Sequence, residues 1–309
     1  MPTRLRLGII GLGRRWRRWR PALTSLADEA VVRAVCDPSA ARAERAARLL
    51  GCAAAAGPVE LLERDDVEAV LMLDRRWFGL WPLGHACRVG KPVCCALSLL
   101  CDEAHAEELR GRVEASRLPV MMALMPALAP ASDRLGELLR GRLGAARVLR
   151  GQWTWTGERV RPLGSRAALE LMHSAAVLFG RPPLRVGAQA SDDAGFVSLL
   201  LEFDEGRVAQ LSLWRGASPG WRLEATAACG SARIEAPHRL RWRDADGLHL
   251  QRLPGQGAVR LLLRRFVTAV RQRQAPWPDF GDACRALVWL RAARQSLEEG
   301  RLVAIGGAR

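Results

Sequence analysis

The chain has 309 residues, with 47 Lys+Arg against 32 Asp+Glu for a formal charge of +15, and is 49% hydrophobic and 26% charged. That balance is too apolar for a disordered chain, and the length suits about two domains. No apolar run reaches the ~18 residues of a membrane helix, the Met1 to Leu7 stretch shows no signal-peptide pattern, and the eight cysteines form no CxxC pair, so a soluble, cytoplasmic protein without a metal centre is expected.

In chain order, Leu5 to Ile10 reads as a strand ending at Gly11 and Gly13, followed by helical spacing over Arg14 to Ala27. Val31 to Cys36 is a second strand ending at Asp37, and Ser39 to Leu50 a helix rich in Ala and Arg. Further strands are predicted at Val67 to Leu73, Pro92 to Ala96 and Pro119 to Ala123, with helices near Trp81 to Val89 and Asp102 to Ser116 between them. This alternation predicts an α/β domain with a doubly wound parallel sheet over residues 1–126. From Gly144 the pattern changes to Gly-punctuated strands at Ala146 to Thr154, Leu184 to Ala190, Phe196 to Phe203, Arg207 to Trp214, Arg222 to Ala228 and Ala232 to Glu235. A helix over Arg166 to Phe179 interrupts them. A hairpin over Leu240 to Leu253, helices at Val259 to Gln272 and Gly281 to Glu298, and a short strand at Leu302 to Ile305 follow. Residues 127–309 are therefore expected to form an α+β domain with a mostly antiparallel sheet, whose C-terminal helix packs back on the first domain.

Gly11-Leu12-Gly13-Arg14 lies where the first strand hands over to the first helix, the place where backbone N–H groups and the helix dipole hold a pyrophosphate. Asp37, ending the second strand, has the position of an acceptor for adenosine ribose hydroxyls and disfavours a 2′-phosphate, so NAD(H) is favoured over NADP(H). Arg42 and Arg45 nearby act against that preference. The third glycine of the fingerprint is Trp16. Trp16, Trp19, Leu23 and Leu26 share one helical face, which leaves two readings open: a cofactor site, or a packed turn whose arginines face solvent.

The run Arg14 to Arg20 mixes cations with tryptophans, as nucleic-acid surfaces do. Its place at the start of a core helix, and the spread of arginine through the chain, argue against nucleic acid and for a small anionic ligand. Trp153 and Trp155 alternate with Gln152, Thr154 and Thr156 on a strand, serving either the core or an interface. Arg159, Arg161 and Arg166 follow as candidate substrate contacts.

At Leu7 to Gly13, Val35-Cys36-Asp37-Pro38, Gly90-Lys91-Pro92-Val93, Asp102-Glu103-Ala104, the helix carrying His173 and ending at Gly180, Gly230-Ser231-Ala232, and Ser296 to Val303, the chain resembles the Gfo/Idh/MocA oxidoreductases. The resemblance runs nearly end to end. It implies a Rossmann-type domain followed by an α+β domain, a nicotinamide cofactor, hydride transfer at a hydroxyl-bearing carbon of a sugar or cyclitol, and a homo-oligomer joined through the second sheet.

The family's lysine in a turn after the fifth strand falls on Leu97, between Ala96 and Ser98, and its aspartate four residues before the helix histidine falls on Leu169. The Thr-Pro after the fourth strand falls on Asp74-Arg75, the next histidine on Gly79, and an arginine near Ala127. Lys91 precedes its strand, whereas the family's lysine follows it. Hydride transfer needs a proton acceptor and a charge that steadies the oxyanion, so the resemblance implies that the standard reaction is lost or altered. The alternative is an active dehydrogenase in which His173 is the acid/base, with Glu170 one helical turn earlier. Among Leu169, Leu171, Met172 and Val177, His173 also reads as a packing residue. A basic module binding anions or nucleic acid is the third reading.

Overall fold

A computed structural model describes residues 3–74, 78–97, 99–101, 103–156, 162–193, 195–254 and 257–306. The chain divides into two units, residues 1–123 with 259–284 and residues 124–258 with 285–309.

The first unit is built on six parallel strands: β1 (Leu5–Ile10), β2 (Ala30–Cys36), β3 (Ala53–Ala54), β4 (Ala69–Met72), β5 (Val93–Cys95) and β6 (Val120–Met122). Their order in the sheet is β3-β2-β1-β4-β5-β6, the doubly wound arrangement in which ligands bind beyond the carboxyl ends of the strands. Leu7, Ile9, Ile10, Val70, Leu71, Cys94 and Met121 are all at most 1% exposed. Both faces of the sheet are covered, which is why these strands read as near-continuous apolar runs.

Helices α1 (Arg14–Thr24), α2 (Ala40–Leu50), α3 (Pro58–Glu63), α4 (Trp81–Arg88) and α5 (Glu103–Ser116) accompany this sheet. In α1, Trp16, Trp19 and Leu23 are buried and Arg14, Arg17 and Arg18 exposed, so the predicted stripe faces the core. The sequence reading did not include β3 or α3, which are too short to show a period.

The second unit begins with α6 (Pro130–Arg140), a helix that was not predicted; its proline sits in the first turn, where the missing N–H costs nothing. Strand β7 (Ala146–Trp155) and helix α7 (Arg166–Phe179) follow, the latter capped by Gly180 in the left-handed conformation at φ +70°. Strands β8 (Arg185–Ala190), β9 (Phe196–Glu202), β10 (Val208–Arg215), β11 (Gly220–Ala227), β12 (Gly230–Ala236), β13 (Arg239–Asp244) and β14 (Gly247–Arg252) come next. The chain then forms α8 (Ala258–Gln272), α9 (Phe280–Glu299) and β15 (Val303–Ala304).

Nine strands make one sheet in the order β14-β13-β12-β11-β7-β10-β9-β8-β15. All its pairings are antiparallel except β7 with β10. Alternation is clear in β9, where Val197, Leu199 and Leu201 are buried between more exposed neighbours. Helix α7 packs on β7 and β10 and is buried on nearly every side. The late chain is stitched in by Ser296, whose hydroxyl donates to the Arg301 carbonyl and accepts from the Ala188 N–H.

Candidate functional site

The carboxyl edge of the six-stranded sheet gathers Gly11-Leu12-Gly13 after β1, Asp37 after β2, Asp74 after β4 and Leu97 after β5. Gly11 adopts φ +88°, a conformation natural to glycine, and its N–H donates to the Cys36 carbonyl at 2.9 Å. That bond couples the turn to the end of β2.

Asp37 completes the coupling. Its side chain is only 1% exposed, and its oxygens accept from the Leu12 N–H at 2.8 Å, the Ser39 N–H at 3.0 Å and the Arg42 guanidinium at 3.1 Å. A carboxylate offers about four acceptor positions, and here they are directed at the protein's own backbone and Arg42. Beside it, burial above all, followed by the charges of Asp37 and Glu60, pushes the Cys36 thiol up to about 12.

Outside this clamp lies a cleft of about 610 Å³ lined by Arg14, Arg17, Arg20, Arg42 and Arg45 together with Leu12, Trp16, Ala46 and Leu49. The three-residue spacing of Arg14, Arg17 and Arg20 on α1, and of Arg42 and Arg45 on α2, aligns each set along one helical face. That spacing was the signal in the sequence for Arg17 and Arg20 as cleft residues. Trp16 is 8% exposed and belongs to the cleft wall as well as the core.

Asp74 is the residue that sequence reasoning left out of the site. A Cβ built on Gly13 would stand 1.9 Å from Asp74 Oδ2, and one built on Gly11 would stand 2.6 Å from Asp74 Cβ and 2.7 Å from its backbone nitrogen. In a dinucleotide-binding turn the second glycine lets the backbone approach the pyrophosphate. Here the group that makes that approach is a carboxylate. The cleft therefore fits the adenosine end of a dinucleotide, with cations for a phosphate and an apolar wall for a base, while at the glycine turn a carboxylate stands where a diphosphate would approach. The available signal was an acidic residue directly after the strand paired with β1.

Leu97 is 2% exposed, and Ala96 beside it 1%. Ser98 and Arg75 lie outside the described residues. Lys91 precedes β5 and so stands at the opposite, amino-terminal edge of the parallel sheet, its ammonium donating to the Arg64 carbonyl. Burial lowers its pKa, against the pull of Asp65 and Asp66.

His173 and Leu169 belong to α7 in the second unit, both 2% exposed, and are four residues apart on one side of the helix. Glu170 accepts from Arg166 and from the Met125 N–H. Arg166 thus stands at the start of α7 in an ion pair with Glu170, whereas Arg159 and Arg161 lie outside the described residues. The structure brings Gly11, Leu12, Gly13, Arg14 and Asp37 together in the first unit; His173 and Arg166 are in the second.

No protein-family model matches the chain. It is 29% identical over 307 residues to dTDP-3,4-didehydro-2,6-dideoxy-α-D-glucose 3-reductase from Streptomyces antibioticus, covering 88% of this chain and 90% of that one. Among solved structures, levoglucosan dehydrogenase in complex with NADH and levoglucosan aligns with a TM-score of 0.89 at 17% identity, over 99% of this chain and all of that one. An NAD-binding oxidoreductase from Klebsiella pneumoniae aligns with a TM-score of 0.88 at 19% identity, over 99% of this chain and 100% of that one. Myo-inositol 2-dehydrogenase from Lactobacillus plantarum aligns with 0.82 at 20% identity, over 98% and 100%. The chain has the two-domain fold of the Gfo/Idh/MocA oxidoreductases, as the sequence resemblance implied.

Proposed function

We propose that this protein is a Gfo/Idh/MocA-type oxidoreductase homologue, binding a nicotinamide dinucleotide and a sugar-like small molecule, in which the standard hydride transfer is lost or altered. The observation that carries this reading is Leu97. A buried hydrocarbon follows β5 at the position where the family resemblance puts a proton-handling ammonium, and the chain's one lysine stands at the other edge. Leu169 on α7 leaves the helix position of the expected carboxylate equally without charge. A proton from a substrate hydroxyl has no acceptor among these positions, and general acid-base catalysis typically contributes 10²–10⁴-fold. The names of three of the four relatives, concerned with sugars or cyclitols, support the substrate class.

The arginine cleft favours NADP(H) over the NAD(H) expected from Asp37. The repulsion assigned to Asp37 requires a carboxylate facing the cofactor, but its oxygens face Leu12, Ser39 and Arg42, and five guanidinium groups line the open side. Subunit contact is assigned to the open face of the nine-stranded sheet, where Phe196, Trp214 and Thr154 stand side by side in register.

The test is a panel of sugars, cyclitols and nucleotide sugars, assayed for nicotinamide oxidation and reduction with wild-type protein and His173→Ala. Turnover at or below 1% of a working dehydrogenase is expected for both. Full turnover in wild type overturns the reading, and its abolition by His173→Ala assigns the acid/base role to that histidine.

A further inference from the structure

We propose that Asp74 is a built-in anion that competes with the pyrophosphate of a dinucleotide for the Gly11–Gly13 turn, so that the adenosine-phosphate end in the arginine cleft supplies most of the binding. The inference rests on the reading of that cleft as a dinucleotide site and adds a specificity-determining residue to it.

Three observations converge on Asp74. Its Oδ2 occupies the space a side chain on Gly13 would take, so Gly13 accommodates this carboxylate while Gly11 accommodates the Asp74 backbone and Cβ. Gly13 is also the N-cap of α1 and provides no side-chain cap, and the first turn of α1 holds no acidic residue. A helix start of that kind, followed by Arg14, Arg15, Arg17 and Arg18, concentrates positive potential that an adjoining anion relieves.

The third observation is that Asp74 cannot withdraw with its backbone. Ile10 pairs with Met72 in the β1–β4 ladder, and the Leu73 N–H donates to the Ile10 carbonyl at 2.9 Å. The Ala96 N–H holds the Met72 carbonyl at 2.8 Å from the other side. Met72 and Leu73, which lead into Asp74, are thus pinned beside the end of β1, and admitting a diphosphate requires the carboxylate to swing away or tolerate a like charge beside it. Trp16, at the place of the fingerprint's third glycine, forms part of the cleft wall.

The test measures binding of NADPH, NADH and adenosine 2′-monophosphate by calorimetry to the full chain as wild type, Asp74→Asn and Asp74→Thr, with circular dichroism as the check on folding. Adenosine 2′-monophosphate reaches the arginines but carries no 5′-phosphate. Removing one like charge at close range is expected to tighten NADPH about 10- to 100-fold, and to leave adenosine 2′-monophosphate within about twofold. Unchanged or weaker NADPH binding in both folded variants, with adenosine 2′-monophosphate still bound, overturns the role of Asp74 and leaves the cleft reading standing. Failure of every ligand to bind every folded protein overturns both. Asparagine keeps the shape of Asp74 and threonine keeps only a hydroxyl, so one variant serves if the other misfolds.

Discussion

Replacing Asp37 by alanine separates a buried structural clamp from a surface ion pair, because the same carboxylate serves both. The Leu12 N–H lies in the interior, with Leu12 itself 4% exposed. Without its acceptor it loses a bond to a charged group and gains no water, a cost of about 1–3 kcal/mol. The Ser39 N–H is partly exposed and rehydrates, adding about 0.5–1 kcal/mol. Arg42 is half-exposed, and a pair of that kind contributes about 0–1 kcal/mol. The sum, about 1.5–5 kcal/mol, corresponds to a fall in melting temperature of about 3–20 °C for a unit of this size.

Asp37→Asn keeps one oxygen for the Leu12 N–H and should lose about half as much, and Arg42→Ala should lose least. Urea unfolding followed by tryptophan fluorescence reads the order directly, since Trp16 and Trp19 lie in α1 just beyond the clamped turn. The reasoning fails if Arg42→Ala costs as much as Asp37→Ala, which would place the stabilisation in the ion pair, or if Asp37→Ala melts within 1 °C of wild type.

The two turn glycines should differ in a denaturation experiment. Gly11→Ala faces both a φ of +88° and the Asp74 backbone at 2.7 Å, so a loss of at least about 3 kcal/mol is expected. Gly13→Ala meets only a rotatable carboxylate, its own φ being −77°, and should lose less than half of that, recovering in the Gly13→Ala/Asp74→Ala double variant; equal losses at the two positions would refute this. Among the cysteines whose side chains are described, thiol reactivity at pH 8 should be highest at exposed Cys229 and lowest at Cys36 and Cys284, which are buried and whose thiols are pushed up to about 12, chiefly by burial. Loss of the fast phase in Cys229→Ser checks this, and equal labelling rates for Cys36 and Cys229 would contradict it.

Local pattern determined most of the secondary structure. Apart from Arg6 and Arg33, the runs Leu5–Ile10, Val31 to Cys36 and Pro92 to Ala96 are apolar because both faces of their sheet are covered, and the spacing within Arg166–Phe179 matches the bounds of that helix in the fold. Where period or length was insufficient, as in the two residues of β3, the short α3 and the proline-led α6, sequence carried little signal. The positions of Gly11, Gly13 and Asp37 at the sheet edge were legible for the same reason, since strand ends followed by turns declare themselves locally.

What those residues do was not legible. A carboxylate at residue 37 is the same letter whether it faces a ribose or the backbone of Leu12, and only the folded turn decided for Leu12, Ser39 and Arg42. Asp74 lies 61 or more residues from the glycines it presses against, just beyond a strand that becomes β1's neighbour only when the sheet assembles. Sequence by itself determined the order of elements and the uncharged side chains at residues 97 and 169, because these depend on residue type and local spacing. The tertiary structure alone decided which anion rests on the glycine turn and which arginines share a cleft, because both are contacts between segments that the chain brings together over long loops.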